Sequence, residues 1–99
     1  MVEPSLTGIA LHQQLKQLHQ DWYVHSLPPE HLIRTFTFEN FQQALDFVNT
    51  VGTLAEQHNH HPNIKLYDYK KVDVQLSTHD ASGITLKDVE LAALIEKLV

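Results

Sequence analysis

The sequence predicts an α+β fold: a four-stranded antiparallel sheet with three helices on one face, in the order α-β-β-α-β-β-α. Two observations point there. Apolar residues recur at helical spacing in three stretches, around Leu6 to Leu18, Phe41 to His58 and Val89 to Leu98. Between them lie two pairs of short alternating stretches, broken by Pro28-Pro29 in the first pair and by Tyr67-Asp68-Tyr69-Lys70 in the second. Each pair reads as a hairpin.

Ser5 or Thr7 is placed to cap the first helix, with Leu6, Ile9, Leu15 and Leu18 inward and Gln13, Lys16 and Gln17 toward water. Trp22-Tyr23-Val24 opens an aromatic, β-branched stretch that suits a strand. Pro28-Pro29 turns the chain, and from His31 to Phe38 the residues Ile33, Thr35 and Thr37 alternate with Leu32, Phe36 and Phe38. Asn40 caps the longest helix, in which Phe41, Ala44, Leu45, Val48, Val51, Leu54, Ala55 and His58 trace one face. Gly52 costs that helix about 1 kcal/mol relative to alanine, yet the periodicity runs through it.

Pro62 stops the long helix and requires an extended His61, because the residue before proline avoids the α region. Ile64 and Leu66 begin the second hairpin. After the bend, Val72, Val74, Leu76 and Thr78 alternate with Lys71, Asp73, Gln75 and Ser77, one face buried and the other wet. Asp80-Ala81-Ser82-Gly83 is a turn. Thr85 with Asp88 three residues on resembles a capping box for the last helix, with Val89, Ala92, Ile95 and Leu98 inward.

Composition narrows the function classes. A chain of 99 residues, 42% apolar, is expected to form one globular domain spanning 1–99. The absence of cysteine excludes a disulfide scaffold, a thiolate zinc site and a cysteine nucleophile. A formal charge of −5 argues against direct contact with nucleic acid, which wants a basic face. Met1-Val2-Glu3-Pro4 carries no signal-peptide pattern, and the longest apolar run, Leu91 to Ile95, is far short of the roughly 20 residues that span a bilayer. A cytoplasmic protein with no membrane partner is expected.

Eight histidines remain to be explained. Histidine is the side chain whose ordinary pKa, about 6.5, allows acid and base roles at neutral pH. His60 and His61 sit at a helix C-terminus, where the helix dipole favours a cation. His79 follows the last strand, and one approach of strand end to helix end would unite all three in a proton-transfer site. His12, His19, His25 and His31 read as surface polar residues, and His58 as a half-buried one. Zinc is the rival reading for His58, His60 and His61. Their spacings of two and one do not form the helix-borne pair four residues apart with a glutamate between, so no metal is assigned. Serine chemistry finds no Gly-x-Ser-x-Gly elbow. Asp88 reads equally as a capping carboxylate, and Ser77 and Thr78 as strand residues.

Glu56-Gln57-His58-Asn59-His60-His61-Pro62, then Tyr69, Val72, Leu76-Ser77-Thr78-His79-Asp80, Gly83, Thr85 and Asp88, together resemble the pterin-4a-carbinolamine dehydratase signature. Trp22, Phe36, Phe38 and Asn40-Phe41 extend the likeness over nearly the whole chain. The resemblance implies the same α+β fold and a hydro-lyase that dehydrates 4a-hydroxytetrahydropterin to quinonoid dihydropterin, regenerating the tetrahydrobiopterin cofactor of aromatic amino acid hydroxylases. It implies His60, His61 and His79 as catalytic residues. It places the pterin against Asn59-His60-His61 and Ser77-Thr78-His79-Asp80, with Glu56 and Asp88 as supporting carboxylates. No metal or organic cofactor is implied. His61 or His79 is expected to protonate the leaving hydroxyl, and His60 to position or deprotonate the pterin.

Two departures from the family pattern stand out. The stretch from Pro62 to His79 is one residue longer than the pattern, which places the extra residue in the bend near Tyr67-Asp68. Ile64 stands where many relatives have tryptophan, so the packing beside the pterin is expected to differ. The resemblance further implies a homo-oligomer, dimer or tetramer, and the apolar stretch Leu91 to Val99 is expected to offer an interface. The competing class is a binding or assembly protein on the same scaffold, such as a transcription-factor dimerisation cofactor or a Rubisco assembly factor. Retention of all three histidines favours the enzyme, while a moonlighting protein partner stays compatible with it.

Overall fold

The computed structural model of the protein describes residues 4–99, so Met1-Val2-Glu3, part of the stretch read for targeting signals, lies outside the described residues. Among the described residues the order is α1 (Gly8–Leu15), β1 (Tyr23–His25), β2 (His31–Thr37), α2 (Phe41–His58), β3 (Asn63–Tyr67), β4 (Lys71–Leu76) and α3 (Leu86–Glu96), with one 3₁₀ turn at His79–Ala81. This is the α-β-β-α-β-β-α order expected from the periodicity. The sheet runs β1-β2-β4-β3, every neighbouring pair antiparallel. Each hairpin therefore keeps its own pairing, and β2 and β4 join the two. No helix among the described residues is long and apolar enough to cross a membrane.

Alternation sets which strand residues meet the helices. Leu32, Phe36, Val72, Val74 and Leu76 are buried on the helix side, with Leu32 opposite Leu76 and Phe36 opposite Val72. Thr35, Asp73, Lys65 and Tyr67 belong to the opposite, open face, where Asp73 accepts hydrogen bonds from Thr35 (2.7 Å) and Tyr67 (3.0 Å). Arg34, also on the helix side, lies over the Phe36 ring and donates to Glu96 of α3 at 3.0 Å. Trp22 Nε1 donates to the same carboxylate at 2.8 Å. That shared acceptor ties the hairpin to the end of α3.

Several expected positions shift. The stripe that α2 buries is Ala44, Phe47, Val51 and Ala55, rotated toward Phe47 and away from Phe41, which is 49% exposed. In α1 it is Leu11 and Leu15 that pack on the core, with Leu18 just beyond the helix, while Ile9 is 77% exposed. Ile9 precedes Leu11 by two residues, about 200° around a helix, and so points outward. Thr7 makes no side-chain cap. Trp22 is buried yet precedes β1, and β4 ends at Leu76, leaving Thr78 to pair with Gly83 alone. Leu91, Ala92 and Ile95 are spent inside the core. Of the supposed interface stretch, only the end beyond α3, Leu98 and Val99, presents large apolar side chains to solvent.

Candidate active site

Three chain ends meet at one edge of the fold: the C-terminus of α2, the chain leaving β4 and the first turn of α3. Each is shaped by local sequence. Asn59 adopts the left-handed conformation (φ 49°, ψ 42°), which asparagine reaches more easily than most residues. With it, Asn59 N–H donates to the Glu56 carbonyl (3.2 Å) and His60 N–H to the Ala55 carbonyl (3.1 Å). This pair of bonds is the Schellman arrangement that ends a helix and turns the chain back. His60 thereby comes toward α3, and Pro62 keeps His61 out of the helix.

The first turn of α3 receives it. Thr85 is the N-cap and its hydroxyl accepts from Lys87 N–H (3.2 Å), while Asp88 Oδ2 accepts from Thr85 N–H (2.9 Å). The capping box read from the sequence is therefore present. Asp88 is fully buried, and its carboxylate does more than cap. Oδ2 also accepts from the Thr78 hydroxyl (2.9 Å), which in turn accepts from the Thr85 hydroxyl (2.7 Å). Oδ1 lies 2.5 Å from His60 Nε2. A buried carboxylate is tolerated only when its oxygens are hydrogen-bonded, and these three partners engage both of them.

His61 makes the parallel pair at the surface, its Nε2 against Glu56 Oε2 one turn back in α2. His79 begins the 3₁₀ turn after Thr78, and among the described residues its ring has no hydrogen-bond partner. All three histidines line one cavity of about 400 Å³, within the range of small-molecule sites. Asn59, Ser77, Thr78 and Asp80 also line it. Glu56 and Asp88 do not reach the cavity: they stand behind His61 and His60 and fix the Nε2 of each ring. A carboxylate that is ionised only accepts, so opposite one the ring nitrogen Nε2 is the donor.

Sequence reasoning missed Lys87, which lines the same cavity from the first turn of α3. The signal was available, since Lys87 sits inside the Thr85–Asp88 capping box that faces His60. His58 is exposed at the end of α2 rather than half-buried, since Ala55 is the last residue of that helix to be buried. His12 and His19 are surface residues as expected, but His25 and His31 are not independent of each other. Their rings stack across the β1–β2 pair at 4.9 Å, and His31 Nδ1 meets the Pro29 carbonyl at 2.9 Å. Ile64 packs on the core from the helix side of β3 and is absent from the cavity wall. The bend between β3 and β4 puts Asp68 and Tyr69 in the left-handed region, as tight hairpin turns require, and His79 lines the cavity. No group of three or more histidine, aspartate or glutamate side chains among the described residues is arranged to hold a metal ion.

Residues 4–98 match the family model described as pterin 4 alpha carbinolamine dehydratase. A protein of Sulfurisphaera tokodaii, provisionally named a pterin-4-alpha-carbinolamine dehydratase, is 43% identical over 94 residues, covering 95% of this chain and 96% of its own. A Chloroflexus aurantiacus protein with the same provisional name is 42% identical over 96 residues, covering 97% and 98%. Among solved structures, the transcriptional coactivator/pterin dehydratase of Brucella melitensis superposes with a TM-score of 0.86 at 29% identity, covering 95% of this chain and 97% of its own. A pterin dehydratase-like protein identified as a RuBisCO assembly factor in the alpha-carboxysome shares the fold, with a TM-score of 0.67 at 23% identity over 81% of this chain and 90% of its own.

Proposed function

The chain belongs to the pterin 4 alpha carbinolamine dehydratase family, and on that premise we propose that it is a hydro-lyase converting 4a-hydroxytetrahydropterin to quinonoid dihydropterin in tetrahydrobiopterin recycling. The observation that carries this reading is the convergence of His60, His61 and His79 on one cavity, two of them anchored by carboxylates. In the reaction the C4a–O bond breaks with its electron pair passing to oxygen. An imidazolium protonates that oxygen, which leaves as water. The proton on N5 passes to a neutral imidazole, and the N–H electrons form the N5–C4a double bond. One acid and one base across the ring thus suffice, each worth about 10²–10⁴-fold in rate.

We assign the acid role to His61 or His79, both exposed at the cavity mouth where water can depart. His60 positions or deprotonates the pterin: its Nε2–H is committed to Asp88, so Nδ1 is the atom that exchanges a proton. Asn59, Ser77, Thr78 and Asp80 supply the polar wall for the pterin edge. The protein acts in the cytoplasm as a homo-oligomer in this reading.

A binding role on the same scaffold is the second reading, favoured by the coactivator description of the Brucella melitensis relative. Stopped-flow decay of chemically generated 4a-hydroxytetrahydropterin separates the two. The enzyme accelerates it many-fold over buffer; a purely binding protein leaves the decay unchanged.

A further inference from the structure

The turn that carries His79 is fastened at both of its ends. At the first, the Thr78 hydroxyl is bound to Asp88 and Thr85 in the interior. Within the turn, Ser82 N–H donates to the His79 carbonyl (3.1 Å) and Thr78 N–H to the Gly83 carbonyl (2.7 Å). The next carbonyl, that of Ile84, accepts from Leu6 N–H at 2.6 Å. Gly83 and Ile84 are thus gripped by two chains, and the second is the segment leading into α1. Leu6 is half-buried and packs its side chain on the core. Ser5 lies so close to Gly83 that a β-carbon built there would stand 3.6 Å from the Ser5 β-carbon.

We propose that Leu6 is a positioning residue for His79, acting through the Gly83–Ile84 end of the turn although it touches neither the ring nor the cavity. The proposal rests on the dehydratase reading of the histidine cavity. His60 and His61 each have a carboxylate behind the ring, whereas the His79 ring has no hydrogen-bond partner among the described residues. Its place in the cavity is therefore set by the backbone of its turn. That turn is a 3₁₀ element of three residues, and so short a helix fixes several dihedrals for very few hydrogen bonds. Its shape has to be imposed at the ends. Thr78 imposes one, and Leu6 imposes the other by joining the Ile84 carbonyl to a side chain seated on the core. The fastening matters for rate, because a catalytic group misplaced by about 1 Å loses about a hundredfold.

The test uses two variants of the full chain. Leu6→Pro removes the N–H that binds the Ile84 carbonyl, at a position outside the helices. Leu6→Ala keeps that N–H and removes the side-chain anchor, so it serves if the proline variant does not fold. Glu96→Ala, which loosens α3 far from the cavity, is the reference for a mere loss of stability. Two readouts are taken on folded protein: kcat for 4a-hydroxytetrahydropterin, and the ring-proton NMR resonances of His79 and His61. Each Leu6 variant is expected to lower kcat by about 10- to 100-fold and to move the His79 resonances while those of His61 stay in place. Glu96→Ala should do neither. A folded Leu6 variant that keeps the wild-type kcat, or the wild-type His79 resonances, overturns the positioning role and leaves dehydration intact. A wild type that does not accelerate the decay overturns the dehydratase reading itself, and the His79 resonances then decide the positioning role alone.

Discussion

Asp88 Oδ1 stands 2.5 Å from His60 Nε2, although the two residues are 28 positions apart in sequence. The same carboxylate caps α3 and binds Thr78, so one buried side chain joins the ends of α2, β4 and α3. Asp88→Asn keeps the shape but replaces an acceptor oxygen by an amide that donates. It is expected to cost about 1–3 kcal/mol, lowering the thermal midpoint by several degrees. Because His60 loses its anchor, kcat should fall within about the 10²–10⁴-fold range of a positioned acid or base and show an altered pH profile. A pH–rate profile identical to wild type would refute the positioning role.

Thr78→Val removes one hydroxyl from the interior while keeping its volume. Asp88 then lacks a donor and Thr85 an acceptor, an imbalance expected to cost about 1–3 kcal/mol. Chemical denaturation measures it as a lower midpoint with an unchanged slope.

Glu96→Ala separates stability from chemistry. Glu96 accepts from both Arg34 and Trp22, far along α3 from the histidines, and none of the three lines the histidine cavity. Removing it leaves the mostly buried Arg34 guanidinium with Asp21 alone, at 3.6 Å, and the Trp22 N–H without its acceptor, an effect of about 1–3 kcal/mol. Thermal unfolding should show the loss while kcat of the folded protein stays at the wild-type value.

The Asp73 carboxylate accepts the Tyr67 hydroxyl and holds its pKa above the usual 10.0, aided by burial and by the negative charge of Asp73. The raised value means the fold favours the neutral phenol. Its stabilising contribution is fully present below pH 10 and is lost as pH rises through the folded-state value. A difference titration of phenolate absorbance between wild type and Tyr67→Phe should place this group above an ordinary tyrosine, and Asp73→Asn should bring it back down.

Much of this architecture was legible in the residues, and the reasons are local. Asn40 caps α2, Thr85 and Asp88 form their box, and Pro62 ends the long helix, because each acts over three or four residues. The likeness around Asn59-His60-His61 and Ser77 to Asp80 located residues that do line one cavity. What stayed hidden depends on contacts distant in sequence. Spacing alone gave a stripe on α2 but not its rotation, so Phe47 was missed and Phe41 misplaced. Asp88 looked like a cap or a support because nothing in the chain before it says that His60 arrives at its second oxygen. His31 looked like a surface residue because its partners are a ring on the neighbouring strand and a carbonyl in the turn.

On the dehydratase reading, His60, His61 and His79 together form the site at which the protons of the dehydration are transferred. Stopped-flow decay of 4a-hydroxytetrahydropterin, followed with wild type, His61→Ala and His79→Ala at equal concentration, tests it most directly. The wild type is expected to accelerate the decay, and each substitution to reduce kcat by about 10²–10⁴-fold with the fold intact. Variants that match the wild type, or a wild type no faster than buffer, would contradict it.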